Sequence, residues 1–265
     1  MIKLNYKTIA VLVLTMLSTF LKAQSPPANV PTKGLVGWWP FNGNANDESG
    51  NGNNLSVNGA SLSTDRNGLS NNAYYFDGNS SNLKANLSLR TLPGLTISCW
   101  GNVSGSNNIQ TLINLTSSNQ LAAFGINYSY NAKTVDAYAT PKALGKLSIQ
   151  QNTWNHYLIT TDYATMTSKF YCNGLLIGSS TSAIDTSLRT EFNVGMHHSD
   201  AWGYGWYFNG KLDDIGIWNR ALSESEIKLL YNPASILLQP KNVVAKSASN
   251  AMFFVKTADS GVKYQ

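Results

Sequence analysis

The chain has 265 residues, of which 43% are hydrophobic, 11% aromatic and only 12% charged. So apolar a composition excludes a disordered chain, and with so few charges the surface must be polar through Asn, Ser, Thr and Gly. The formal charge of +5 does not mark a nucleic-acid partner: the excess sits in Lys3, Lys7 and Lys22 at one end and Lys241, Lys246, Lys256 and Lys263 at the other, while eleven basic residues face thirteen acidic ones between positions 34 and 235. No Lys/Arg cluster offers a footprint for phosphate.

In chain order, Lys3 and Lys7 precede a nearly unbroken apolar run from Ile9 to Phe20. The run is short for a membrane span and has the layout of a secretory signal peptide. Residues 1–23 are therefore expected to be cleaved near Ala23. The mature chain is then secreted or held at the cell surface, with no span of its own. Residues 24–33, with Pro26, Pro27 and Pro31, read as a linker.

From Gly34 to about residue 232 the pattern is that of one β domain. Gly34–Phe41 is an aromatic strand, followed by an Asn/Gly-rich loop over 42–54 that can continue neither strand nor helix. Short strands then recur between turn signals: Leu55–Val57, Ala73–Phe76, Leu83–Leu87, Leu95–Trp100, Thr111–Leu115, Ala122–Tyr128, Thr134–Tyr138, Trp154–Asp162, Lys169–Cys172, Leu175–Gly178, Glu191–Met196 and Lys211–Trp218. Asn173-Gly174 between two of them is a hairpin turn. So many strands with almost no helical periodicity predict an all-β sandwich. The two cysteines, Cys99 and Cys172, fall in strand-like runs; they are read as a disulfide of an exported protein or as two separate buried thiols.

One helix is legible. Ser223 followed by Glu226 forms a capping box, Leu222 and Ile227 stand at the staple positions, and Pro233 closes the segment. Residues 233–265 change register again, through Ile236–Pro240 and Ala251–Val255 to Tyr264-Gln265, like a linker and the opening strands of an immunoglobulin-like repeat. Two or three strands cannot close a sandwich, so this tail is expected to be incomplete and less ordered than the body.

These residues carry a resemblance. Gly34–Asn53, Tyr75-Phe76-Asp77-Gly78, Leu95–Trp100, Trp154–Ile159, Tyr171–Gly174 and Phe208–Ser223 resemble, in order, the motifs of bacterial laminin-G-like domains of the concanavalin A-like lectin/glucanase superfamily. The resemblance implies a jelly-roll of two antiparallel sheets. It also implies binding or adhesion more often than catalysis, with carbohydrate a frequent ligand. The family's Asp pair after Phe-Asp-Gly is replaced here by Asn79-Ser80-Ser81, which puts a second ion site there in doubt.

A calcium site is the first expectation. Calcium takes six to eight oxygens; Asp47 with the region of Asn51 and Asn54 offers some, and Asp213 or Asp214 on the closing strand the rest. Period two places Asp213 on the inward face with Ile215 and Ile217, without an evident Lys or Arg partner. The other reading has Asp47 capping its own loop and Asp213 accepting backbone N–H bonds. The resemblance favours an ion joining the first loop to the closing strand.

The expected ligand surface is the loop His197–Tyr207, where His198, Asp200, Trp202, Tyr204 and Trp206 combine flat rings with hydrogen-bonding groups, as sugars require. Trp206 and Phe208 are also candidates for the sandwich rim. No catalytic site is expected. Glucanases of this fold use paired carboxylates, and the one Glu-x-Glu here, Glu224-Ser225-Glu226, already caps the helix. The leading function is non-catalytic carbohydrate recognition by an exported lectin-like module. The alternatives are a protein-binding adhesion or spacer domain of a surface protein, with a cell-surface or matrix partner, and a glycoside hydrolase.

Overall fold

The computed structural model describes residues 25–89, 93–117, 122–139, 142–181, 189–199, 204–231, 236–238 and 256–257. Residues 1–24, where a signal peptide is expected, and most of the tail lie outside them; of the tail, Ile236–Leu238 pairs antiparallel with Lys256–Thr257.

Strands are numbered in chain order. One sheet has eight strands: β13 (Leu175–Thr181), β12 (Thr167–Cys172), β11 (Trp154–Asp162), β6 (Gly94–Val103), β17 (Asn209–Trp218), β4 (Ala73–Asp77) and β3 (Ser61–Ser63) in that order, with β1 (Leu35–Trp39) also on β17. The other has seven: β10 (Lys142–Ser148), β9 (Thr134–Ala139), β8 (Ala122–Ser129), β7 (Ile109–Ser117), β14 (Arg189–Val194), β5 (Asn82–Leu89) and β2 (Ser56–Asn58). Every pairing between these strands is antiparallel. The two sheets stack face to face, as the jelly-roll expectation requires.

Alternation builds the core. Leu95, Ile97, Cys99 and Val103 of β6 point inward, against Ile113 and Leu115 of β7 and Phe192 and Val194 of β14, all fully buried. Trp39 stacks on Phe192 across the sandwich with centroids 5.2 Å apart. β10 escapes the alternation pattern, and β3, Ser61–Ser63, is too short to display one. In β10 the register shifts between Ala143 and Gly145, where Gly145 takes a φ of 147°, so its apolar residues do not fall at period two.

Behind the eight-stranded sheet lies a second apolar layer of Val30, Trp38, Leu158, Tyr171, Trp218, Leu222, Ile227 and Leu230. The helix (Glu224–Tyr231) supplies part of it. Its capping box closes as expected: the Ser223 N–H donates to Glu226 Oε2 at 2.9 Å, and the Glu226 N–H to Ser223 Oγ at 3.3 Å. Glu226 also takes two bonds from Arg220, at 2.9 and 2.6 Å, and these hold its pKa down at about 2.

Residues 25–33 are not a free linker. Val30 is buried, Pro31 O accepts from Trp218 Nε1 at 2.6 Å, and Lys33 O accepts from Arg220 Nε at 2.8 Å. The prolines shape an N-terminal strap that docks on the outer face of the eight-stranded sheet.

The cysteines are two separate thiols, both free and buried. Tyr157 of β11 lies opposite Cys99 of β6 on one side and Cys172 of β12 on the other. Two strand spacings, about 9–10 Å, separate the thiols, beyond the roughly 7 Å that a disulfide spans between Cα atoms. Burial pushes the Cys172 thiol up to about 12 and Cys99 higher. Iodoacetamide is therefore expected to label neither thiol in the native protein and both in denaturant; native labelling of either would contradict this packing.

Candidate functional site

The expected calcium ligands are held by other bonds. Asp47 caps its own loop: Oδ1 accepts the N–H groups of Trp38 (3.0 Å) and Ser49 (2.8 Å), and Oδ2 accepts Ser49 Oγ and the Asn53 N–H (both 2.9 Å). Asn54 Oδ1 accepts the Asp47 N–H at 2.8 Å, and Asn51 Nδ2 donates to Leu35 O and Val36 O at 2.9 and 3.1 Å.

Asp213 does not point inward. A bulge at Asp214, whose φ is +44°, shifts the period by one residue, so Ile215 and Ile217 face the core and Asp213 sits on the outer face opposite Trp100. It also has a cationic partner: Arg66 contacts Asp213 at 2.9 Å and Asp214 at 2.6 Å. Burial and the neighbouring Asp214 charge push the Asp213 carboxyl up, with Arg66 pulling the other way. Among the described residues no cluster of three His, Cys, Asp or Glu side chains is arranged to hold a metal ion.

The expected aromatic loop is a hairpin extension. β15 (His198–Ser199) pairs with β16 (Tyr204–Gly205), and below them Trp206 N–H donates to His197 O at 2.8 Å. Trp206 is half-buried against the His197 ring, centroids 5.1 Å apart, and Phe208 is fully buried in the core. Asp200 and Trp202 lie outside the described residues, as do the side chains of His198 and Tyr204.

The hairpin rises beside a surface that the motifs did not single out, the outer face of the seven-stranded sheet. One row crosses all seven strands: Ser56, Lys84, Asn193, Asn114, Gly125, Tyr138 and Ala143 lie opposite one another in turn. A second row holds Asn86, Glu191 and Thr116, and a third Thr111, Asn127, Asp136 and Lys146. Strand period two puts amides and hydroxyls here because the alternate positions fill the core.

The face is tightly bonded in the middle. Asn193 Nδ2 donates to Asn114 Oδ1 at 3.2 Å, Asn114 Nδ2 to Met196 O at 3.3 Å, and Thr111 Oγ1 to Asn127 Oδ1 at 2.8 Å. Gly125 leaves room for Tyr138 to lie across the sheet; a Cβ there would run into the Tyr138 hydroxyl and Asn114. The Tyr138 hydroxyl and Thr116 Oγ1 are buried without a hydrogen-bond partner, a costly state that a polar ligand or water relieves. Where the row runs out towards β5 it opens into a groove of about 330 Å³, lined by Ser56, Lys84, Ala85, Asn86, Glu191, Asn193 and Met196. Glu191 is the one carboxylate in that lining. Burial raises the Asp136 carboxyl further along the face, and Lys146 opposes the shift.

Residues 77–228 match the family model of the Concanavalin A-like lectin/glucanases superfamily, more than half of the chain. The chain belongs to this superfamily. Solved structures with the same fold include domain 4 of an extracellular arabinanase from Geobacillus stearothermophilus in complex with arabinotriose. It is 18% identical, with 75% of this chain and 98% of that one covered and a TM-score of 0.59. The receptor-binding domain of a botulinum neurotoxin C/D mosaic serotype is 18% identical over 79% of this chain and 53% of its own, TM-score 0.61. A Trypanosoma rangeli sialidase in complex with sialic acid is 17% identical over 85% of this chain and 38% of its own, TM-score 0.60. The chain thus spans about half or less of the last two. No curated protein sequence matches it. At such identities the likeness shows the fold of this concanavalin A-like domain and leaves its ligand to the chemistry of the site.

Proposed function

We propose that this concanavalin A-like domain is a non-catalytic module of an exported protein that binds carbohydrate on the outer face of its seven-stranded sheet. The carrying observation is the row of amide and hydroxyl side chains that runs from the open groove at Lys84 and Asn193 to the unpartnered Tyr138 hydroxyl. Amides donate and accept in fixed planes, which suits the paired hydroxyls of a sugar ring. The groove is of ligand size. Two of the structural relatives were solved with saccharides bound, which supports the reading by analogy. A single carboxylate in the groove favours recognition over the paired-carboxylate chemistry of glycoside hydrolysis.

A glycan array with the wild-type chain and Lys84→Ala, Asn86→Ala and Trp202→Ala variants tests this. Lys84 and Asn86 are exposed, so their truncation leaves the fold intact. Each is expected to weaken the wild-type hits by about tenfold, the worth of one well-placed hydrogen bond of about 1.4 kcal/mol. Hits lost only with Trp202→Ala would move the site to the segment between His197 and Tyr207. Silence of the wild type across plant, algal and host glycans would favour the adhesion or spacer reading.

A further inference from the structure

The opening loop and the closing strand do meet, and the way their charges are balanced differs from the calcium bridge expected of them. Asp213 and Asp214 lie where β17 changes partners: β4 pairs with its Asn209–Leu212 half and β1 with its Ile215–Trp218 half. Glu48 of the first loop comes close enough to Asp214 to feel its charge, and Asp65 stands near both closing aspartates. Asp213 is only 2% exposed. A carboxylate so placed is strongly destabilising without a countercharge.

Arg66, in the turn between β3 and β4, supplies it. Nη1 lies 2.9 Å from Asp213 Oδ2 and Nη2 2.6 Å from Asp214 Oδ2. The guanidinium carbon stands 4.5 Å above the centre of the Trp100 ring. One planar fork thus grips two carboxylates and stacks on an aromatic face, which an ammonium cannot do. The neighbouring acids already have donors of their own. Asp47 accepts four, and Asp65 Oδ1 accepts the N–H groups of Asn67 and Leu69 at 2.8 Å each. A shell of six to eight oxygens would have to displace these bonds and the guanidinium together.

We infer that Arg66 is the built-in cation of the closing aspartate pair, standing where a calcium ion was expected, so that the chain itself ties its β3–β4 turn to its closing strand without a divalent metal. The inference does not depend on what the opposite sheet binds. It assigns Arg66 a charge-balancing role, separable from its packing on Trp100.

Thermal unfolding of the full chain in calcium and in chelator tests it, with the wild type, Arg66→Met, and Arg66→Met combined with Asp213→Asn and Asp214→Asn. The wild-type midpoint is expected to be the same in both buffers, since a ligand that does not bind the folded state shifts nothing. Arg66→Met is expected to lower the midpoint by about 10 °C, the scale of an uncompensated buried charge in a domain of this size. The triple variant should recover most of that loss in chelator, because neutral amides need no countercharge. A wild-type midpoint that rises in calcium would overturn the inference. So would a triple variant as unstable as Arg66→Met alone, which would leave Arg66 a packing residue. Should Arg66→Met fail to fold, the wild-type comparison and recovery of folded triple variant still decide.

Discussion

Trp39→Ala is expected to destabilise the domain by about 3–5 kcal/mol, the range for truncating a buried aromatic. The corresponding fall in melting temperature is roughly 6–20 °C for a domain of this size. Three features converge on this residue. Its ring is fully buried and stacks at 25° on Phe192, with centroids 5.2 Å apart. Trp39 belongs to β1 of the eight-stranded sheet and Phe192 to β14 of the other, so the contact is part of what holds the layers together. Its Nε1 donates to Asn53 O at 2.9 Å and so anchors the far end of the Asn-rich loop. Trp39→Phe keeps most of the stack, loses the loop anchor, and should cost about 1–2 kcal/mol. Urea unfolding measures both; a loss under about 1 kcal/mol for the alanine variant would mean that the sandwich does not close on this pair.

Acid is expected to weaken the wild type relative to a His156→Asn variant, beginning near neutral pH. His156 is 1% exposed and packs against the rings of Trp100 and Tyr231, which also stack on each other. Its Nε2 shares a 2.7 Å hydrogen bond with Ser98 Oγ, and its Nδ1 has no partner. Burial, helped by the Arg66 charge, lowers its pKa to about 3. The unfolded chain takes up this proton near pH 6.5, whereas the folded chain refuses it until about pH 3. The neutral ring's contribution is thus complete above about pH 6.5 and is lost as pH falls, by about 1.4 kcal/mol per unit and about 4–5 kcal/mol in all.

Other groups act differently. Asp77 and Glu226, whose pKa values are depressed, cost stability only at lower pH, and the raised Asp213 acts with the opposite sign. The difference between wild type and variant isolates the histidine. Denaturant midpoints from pH 7.5 to 4.5 should show the wild-type advantage shrinking steadily below about 6.5; a constant difference would contradict a buried neutral imidazole.

The strands that alternate cleanly were legible from the residues. β6 and β11 declare both faces, and the Ser223–Glu226 box declares the helix start. Three features that the residues alone did not settle share a physical cause: each is decided by a partner distant in sequence. The face of Asp213 turns on the bulge at Asp214, which follows from β17 serving β4 and β1 on one edge. Its countercharge, Arg66, lies 147 residues away. The two thiols look pairable until Tyr157 is seen between their strands.

The candidate site was legible only in part. The Trp206 hairpin advertised itself through its rings. Asn114, Asn193, Lys84 and Asn86 stand at alternate polar positions of separate strands, and they fall into two adjoining rows only when β7, β14 and β5 are laid side by side. The available signal was uncharged polarity at alternate positions flanking Phe192, Ile113 and Leu83, where a merely solvated face would carry more Lys and Glu.

The most direct test of carbohydrate recognition on the seven-stranded sheet is amide hydrogen exchange with and without the best-binding oligosaccharide. Slowed exchange is expected at residues 82–86 and 191–196, with 111–116 following as the inner hydroxyls are engaged. Residues 94–103 and the helix should be unchanged. Protection confined to the eight-stranded sheet or its helix, with none at 82–86 or 191–196, would contradict the assignment.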